Sequence, residues 1–277
     1  MNPGAEARGR THLTAFKRGK EMRLMNVLCK MQRLPGRSLA HDFRRAFVNP
    51  RRAWNCVRRW ALLARHTDLP YDELMRYRRE LLDDREFQGH LKRCLDDVHY
   101  VFPGAAELYA VVRTIKPRVI IETGVASGIS SAYILRALAA NGTGTLHSID
   151  LPNVQQGSGL PEGRTSGWIV SDSLWERWKL YIGDSRELLP DLLGTLGHVG
   201  IFLHDSDHSY ENMLFEFEQA FPRLEDGGLL MSDDAHLHTA WDDFCAKHDL
   251  CPTRVVHLGV TRKPWNTRTS SSVRSAA

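Results

Sequence analysis

The sequence predicts an α/β fold: a doubly wound, mostly parallel sheet covered by helices on both faces, preceded by an N-terminal helical extension. Three observations predict it. From about residue 100, short apolar runs alternate with helical patterns, the signature of a sheet buried on both sides. The first of those runs opens into a glycine-bearing turn followed by a helix. The charge is also divided: residues 1–65 carry 16 Lys and Arg against three acidic residues, whereas the remainder carries 21 against 30.

The elements follow in order. Residues 1–20 are polar and Gly-bearing. From Lys20 to Arg65, helical patterns are broken at Pro35-Gly36 and Asn49-Pro50; Met22, Met25, Leu28 and Met31, then Trp54, Val57, Trp60 and Leu63, recur at helical spacing among Arg and Lys. A helix after Pro70 buries Leu74, Tyr77 and Leu81, with Asp72 and Glu73 placed well for its dipole. Another runs from Ala105 to Ile115 and stops at Pro117. Strands are expected at Val119–Ile121, Thr145–Ile149, Trp178–Ile182, Val199–Leu203 and Leu229–Met231, with a further strand-like stretch at Arg254–Thr261 around Gly259. Helices are expected at Ile129–Ala140, ended by Asn141-Gly142, at Tyr210–Leu224, ended by Asp226-Gly227-Gly228, and at Thr239–His248. The domains are accordingly 1–99, a basic helical extension; 100–265, the αβ body; and 266–277, a disordered polar tail.

Composition narrows the class. The 277 residues are 42% hydrophobic and 25% charged, the balance of a globular protein with a full core. No apolar run approaches the ~20 residues of a membrane span, and no secretory leader is read at the N-terminus. Five Cys without a C-x-x-C pair argue against a disulfide scaffold or a zinc ribbon and for a reducing, cytoplasmic setting.

The first strand runs into Glu122-Thr123-Gly124-Val125-Ala126-Ser127-Gly128. Ligands of doubly wound sheets bind outside the C-terminal strand ends, where glycine lets backbone approach them. The spacing is G-x-x-x-G, not the G-x-G-x-x-G that a dinucleotide pyrophosphate favours. Asp150 closes the second strand, where a carboxylate can accept both ribose hydroxyls, and Gly183-Asp184-Ser185 closes the third, where an acid and a hydroxyl can meet an adenine edge. The competing reading makes Asp150 a turn cap and Asp184 the N-cap of the next helix.

These residues, with I-I-E-T-G-V-A-S-G at 120–128, H-S-I-D at 147–150, Y-I-G-D-S at 181–185, H-D-S-D-H-S-Y-E at 204–211 and E-D-G-G-L-L-M-S-D-D at 225–234, resemble the class I S-adenosylmethionine-dependent methyltransferases. Within them the last two segments look like the subgroup of bacterial sugar and macrolide-sugar O-methyltransferases and cephalosporin-hydroxylase-like proteins. The resemblance covers about residues 100–262 and implies a seven-stranded sheet whose last strand is antiparallel. It implies that Glu122, Gly124, Ser127 and Gly128 surround the methionine part of the cofactor, that Asp150 holds the ribose, that Asp184 and Ser185 lie near the adenine, and that Asp205 also borders the cofactor. Few residues remain after Cys251 for two strands, so one of them is expected to be short.

Asp205 and Asp207 follow the fourth strand; Asp233 and Asp234 follow the fifth. Carboxylates gathered in this way repel unless protonated, hydrogen-bonded or bridged by a cation, and oxygen ligands select a hard ion such as Mg²⁺. The resemblance implies Asp205, Asp233 and Asp234 as ligands, with Asp207 beside them; the competing reading is turn bonding and capping by Asp207 and Ser209. His208, three residues after Asp205, is the candidate base for a hydroxyl attacking the methyl carbon, with His204, His236 and His238 as neighbours of lesser promise. Asp205 and His208 together form the expected catalytic pair. The insert from Pro152 to Arg177, with Trp168, Leu174 and Trp175, reads as a lid or acceptor loop, or as ordinary packing.

The expected activity is O-methylation of a sugar, glycoside or other small hydroxylated acceptor. The alternatives are a dinucleotide-dependent oxidoreductase, or a non-catalytic nucleoside binder acting through its basic arm. For residues 20–65 the readings are a solvated extension, peripheral contact with an anionic inner-membrane surface, and a homo-oligomer contact; no nucleic-acid motif is present.

Overall fold

A computed structural model of the chain describes residues 50–95, 102–152 and 160–266. The expectations for residues 1–49, including most of the basic arm, and for the 267–277 tail lie outside the described residues. So does the expected domain boundary near residue 100.

Helix α1 spans Pro50–Thr67 and begins at Pro50, whose missing N–H costs nothing at a helix start. Trp60 and Leu63 of its apolar stripe are fully buried in the same core as the body of the molecule. Helix α2 (Tyr71–Asp83) buries the expected stripe Leu74, Tyr77 and Leu81. Helix α3 (Arg85–Leu95) was not expected from the sequence. Only one residue, Asp84, separates it from α2; Asp84 accepts from the Phe87 N–H at 3.1 Å and so caps the new helix, which buries Phe87 and Leu91. Helix α4 (Ala105–Ile115) is buried almost all round and ends at Lys116, whose left-handed backbone precedes Pro117. Its buried Glu107 pairs with Arg59 of α1 at 2.5 Å.

The body continues through β1 (Val119–Thr123), α5 (Ile129–Asn141), β2 (Thr145–Asp150), a 3₁₀ turn (Asp172–Arg177), β3 (Trp178–Ile182), α6 (Ser185–Leu196), β4 (Val199–His204), α7 (Tyr210–Ala220), a second 3₁₀ turn (Phe221–Arg223), β5 (Leu224–Ser232), α8 (Ala240–Lys247), β6 (Thr253–Val255) and β7 (Leu258–Arg262). The sheet has seven strands in the order β3-β2-β1-β4-β5-β7-β6, with β7 antiparallel to both neighbours. The alternation of strand side chains builds two cores: Ile120, Leu146, Ile201 and Met231 pack with α1–α5, while Ile121, Ile149, Phe202 and Leu230 pack with α6–α8.

One boundary differs from expectation. The helix expected to reach Leu224 ends at Ala220, because Pro222 forces a 3₁₀ turn; β5 consequently starts at Leu224, five residues early. After Cys251 the two expected strands fit, one of them short: a three-residue β6 and a five-residue β7, divided at Val256 and His257. Val256 holds a φ of 64°, unusual for a β-branched residue, and so makes the hairpin tight.

Candidate active site

All the predicted site residues lie at the C-terminal ends of β1–β5 or in the turns that follow them. The glycine turn is shaped by backbone contact. Gly124 has a φ of 83°, and a Cβ there would lie 1.9 Å from the Asp205 carbonyl oxygen, so only glycine fits. The turn is fixed from both sides: Gly124 N–H donates to Ile149 O at 2.8 Å, and Asp205 N–H to Thr123 O at 2.7 Å. Asp150 is half-buried at the end of β2 and accepts from Val125 N–H at 3.1 Å. Asp150 and the glycine turn are thus built as one piece. Next to it, Leu151 and Ile182 are exposed and apolar.

The other end of the turn is clasped by the insert. Gly167 N–H donates to Ala126 O at 2.7 Å, Ile169 N–H to Ser127 O at 3.2 Å, and Trp168 Nε1 to Ser127 Oγ at 3.1 Å. Ser127 is therefore buried under Trp168, and Gly128, with a φ of 91°, lies against Gly167. Trp168 and Leu174 pack in the interior, whereas Trp175 is exposed.

Glu122 is fully buried, and its carboxylate accepts from Ser131 Oγ at 2.6 Å and Ser148 Oγ at 2.7 Å. Burial pushes its carboxyl up to about 7, against the hydroxyls of Ser130, Ser131 and Ser148 that favour the charged form. Asp184 caps α6 by accepting from Arg186 N–H at 2.8 Å. Ser185 turns its hydroxyl inward to Glu216 at 2.6 Å.

Glu216 is the residue that sequence reasoning missed. It is fully buried on α7 and gathers Thr123 Oγ1 at 2.5 Å, His204 Nδ1 at 2.6 Å, Ser185 Oγ at 2.6 Å, Ser206 Oγ at 2.7 Å and Asn212 Nδ2 at 3.1 Å. Burial alone would raise its carboxyl; the charge and hydrogen bond of His204 and the surrounding hydroxyls more than offset this and bring it to about 2. The sequence does hold a signal: Asn212 and Glu216 sit four apart on the stripe of α7 that also buries Met213, Phe217 and Ala220.

At the mouth, Asp205, His208 and Asp233 each offer a ligand atom, all within 4.8 Å of one another. Burial raises the Asp205 carboxyl well above its ordinary range, and repulsion from Asp233, Glu122 and Asp234 adds to this. Burial and the neighbouring His204, whose ring lies 5.3 Å away, lower His208, and its Nε2 is buried without a hydrogen-bond partner. Asp207 bonds Ser209 N–H and Oγ in a turn at the start of α7. Asp234 is directed to a second group, with His236 and His257. The candidate metal set therefore divides: Asp205 and Asp233 meet with His208, and Asp234 stands with two imidazoles. His238 donates from Nε2 to the His208 carbonyl at 2.6 Å and accepts at Nδ1 from the Ala240 N–H at 3.2 Å. A separate cleft of about 490 Å³ between α2, α4 and α5 is charged, but its Arg113–Glu80 and Arg136–Asp84 pairs satisfy one another.

Residues 121–235 match the family described as a methyltransferase domain, a span that contains every predicted site residue from Glu122 to Asp234. No curated protein matches the chain. Among solved structures it is similar to an S-adenosylhomocysteine-bound methyltransferase of Podospora anserina (14% identity, 66% of this chain and 97% of that chain, TM-score 0.42). It is also similar to the calicheamicin methyltransferase CalS11 (16%, 76% and 92%, 0.44) and to the O-methyltransferase TomG of Streptomyces achromogenes, bound to S-adenosylmethionine (21%, 56% and 66%, 0.40). The strand order with its antiparallel β7, the glycine turn and the family match define a class I methyltransferase domain. The protein is accordingly an S-adenosylmethionine-dependent methyltransferase.

Proposed function

We propose that the enzyme transfers the methyl group to a hydroxyl oxygen of a small polyhydroxylated acceptor, of the sugar or glycoside type. The observation that carries this reading is the convergence of Asp205, His208 and Asp233 beside the donor turn. A hydroxyl is a poor nucleophile near pH 7 and needs a group to take its proton. His208, lowered by burial, is neutral at that pH and so free to accept it. As the acceptor oxygen attacks in line, the sulfur–methyl bond breaks, the oxygen–methyl bond forms, and the proton passes to His208. Asp150 holds the donor ribose, and the clasp of Trp168 on Ser127 fixes the turn that positions the sulfonium side.

Asp205 and Asp233 fit a hard divalent cation, since the repulsion that raises Asp205 is relieved by a positive charge. Such an ion, Mg²⁺ in this reading, would supply a lower pKa for an acceptor hydroxyl and a fixed orientation for a diol. Exposed Tyr210 and Leu237 near His238 give the acceptor side an apolar rim, which suits a glycoside with a hydrophobic aglycone. The stripe read as membrane-facing is, at Trp60 and Leu63, buried in the core; no helix among the described residues is long and apolar enough to cross a membrane.

Calorimetric titration with S-adenosylhomocysteine tests the donor site. Asp150→Ala is expected to weaken binding by about tenfold or more, the scale of a lost hydrogen bond to a charged group. Unchanged affinity would remove the assignment of the ribose pocket.

A further inference from the structure

The geometry points to a transition-metal site formed by Asp234, His236 and His257, distinct from the acidic mouth. Asp234 Oδ1 lies 3.2 Å from His257 Nδ1 and 3.7 Å from His236 Nδ1. The two imidazole rings are 4.4 Å apart and nearly perpendicular, at 82°. Donor atoms held ~2 Å from a tetrahedral ion are themselves roughly 3.3 Å apart, close to the two Asp234 spacings, and all three donor atoms lie within 4.8 Å of one another. One carboxylate with two imidazoles is a donor set for Zn²⁺ or a neighbouring first-row ion; Mg²⁺, which wants oxygen, is a poor match.

The three side chains come from segments held rigidly against each other. His236 and Asp234 belong to the turn after β5, and His257 to the turn between β6 and β7. Ala235 N–H donates to His257 O at 3.1 Å, Arg254 Nε to Ala235 O at 2.9 Å, and Leu237 N–H to Asp234 O at 3.0 Å. Gly259 permits the approach: a Cβ there would lie 2.7 Å from Ala235 Cβ and 2.8 Å from the Trp241 ring. Half-exposed imidazoles leave the ion open to water or to an external ligand on its remaining positions. An ion here would clamp the β6–β7 hairpin onto the turn that carries Asp233, and so stiffen one wall of the acceptor side. The inference stands independently of the acceptor chemistry proposed above.

The test uses the untagged full-length protein, stripped with chelator and titrated with Co²⁺, read by its visible d–d absorption, and with Zn²⁺ by calorimetry. One equivalent of Co²⁺ should give tetrahedral bands that excess Mg²⁺ does not remove. His236→Ala and His257→Ala should each weaken Zn²⁺ by more than about 100-fold, beyond the 10–100-fold cost of losing an outer partner. Asp205→Asn should leave the bands in place. Titration of each variant with S-adenosylhomocysteine reports that the fold and donor site persist. Absence of Co²⁺ and Zn²⁺ binding, bands indifferent to both histidine variants, or bands lost in Asp205→Asn would each overturn the site, and none of them bears on the donor assignment.

Discussion

Two carboxyl groups beside the C-terminal end of β4, buried Glu216 and half-buried Asp205, behave oppositely. Glu216 is ringed by donors and His204 and is held down at about 2; Asp205, among carboxyl groups, is pushed well above its ordinary range. Desolvation pushes both upward, so it does not separate them; the company of donors or of like charges does. The difference divides the site by task. A carboxylate whose charge is already met is scaffold, joining α7 to the ends of β1, β4 and the start of α6. A carboxyl group whose charge is unmet is poised for a cation, a proton or a substrate hydroxyl.

The strongest way to break this contrast is at its working end. His208→Ala should lower the methyl-transfer rate by ~10²–10⁴ while S-adenosylhomocysteine affinity stays within about threefold. A rate within threefold of the parent would show that the mouth needs no base. The scaffold end is expected to answer in stability. Glu216→Ala, measured by urea unfolding, should cost about 3–5 kcal/mol, because it strands His204 in the interior. Glu216 has a lowered folded-state pKa, so its stabilisation is complete above its ordinary carboxyl value and fades as pH falls from there toward about 2. The parent should therefore lose stability over that window more steeply than Glu216→Ala; parallel curves would contradict the network.

Glu122 sharpens the comparison from between the two extremes, and with the smallest effect. It has hydroxyl donors but no cation, and its folded-state value rises to about 7. The folded state then holds a proton that the unfolded chain releases, so this group lowers stability as pH climbs from its ordinary value through about 7. Glu122→Gln, metal-free, should raise the melting temperature at pH 8 on the order of 5 °C and change it little at pH 5. Equal shifts at both pH values would mean that burial does not strain the Glu122 charge.

Much of this was legible in the sequence where the signal is local. The apolar runs of β1 to β4, the stops at Gly142 and Pro117, and the cap at Asp184 depend on neighbours a few residues away, and the structure keeps each one. The end of α7 was misplaced because Pro222, not the glycines that follow it, terminates the helix. Helix α3 escaped notice because Asp84 closes one helix and opens the next with no loop between them. Long-range partners were harder. Glu216 meets Thr123 across 93 positions, and His257 meets Asp234 across 23, with α8 and β6 between them. Nothing in local spacing announces either meeting. The pair 233–234 is expected as one ligand set from the resemblance alone; Asp234, at a φ of 45°, stands instead with His236 and His257.

The close passage of Gly124 over the Asp205 carbonyl has one more consequence. In the proposed reading, this passage is the partition between donor pocket and acceptor mouth, a single main chain thick. Whatever filling one compartment does to that partition, the other must register, and linkage requires the influence to be equal in both directions. In the proposed reading, Gly124 is the point through which donor and acceptor binding would be coupled.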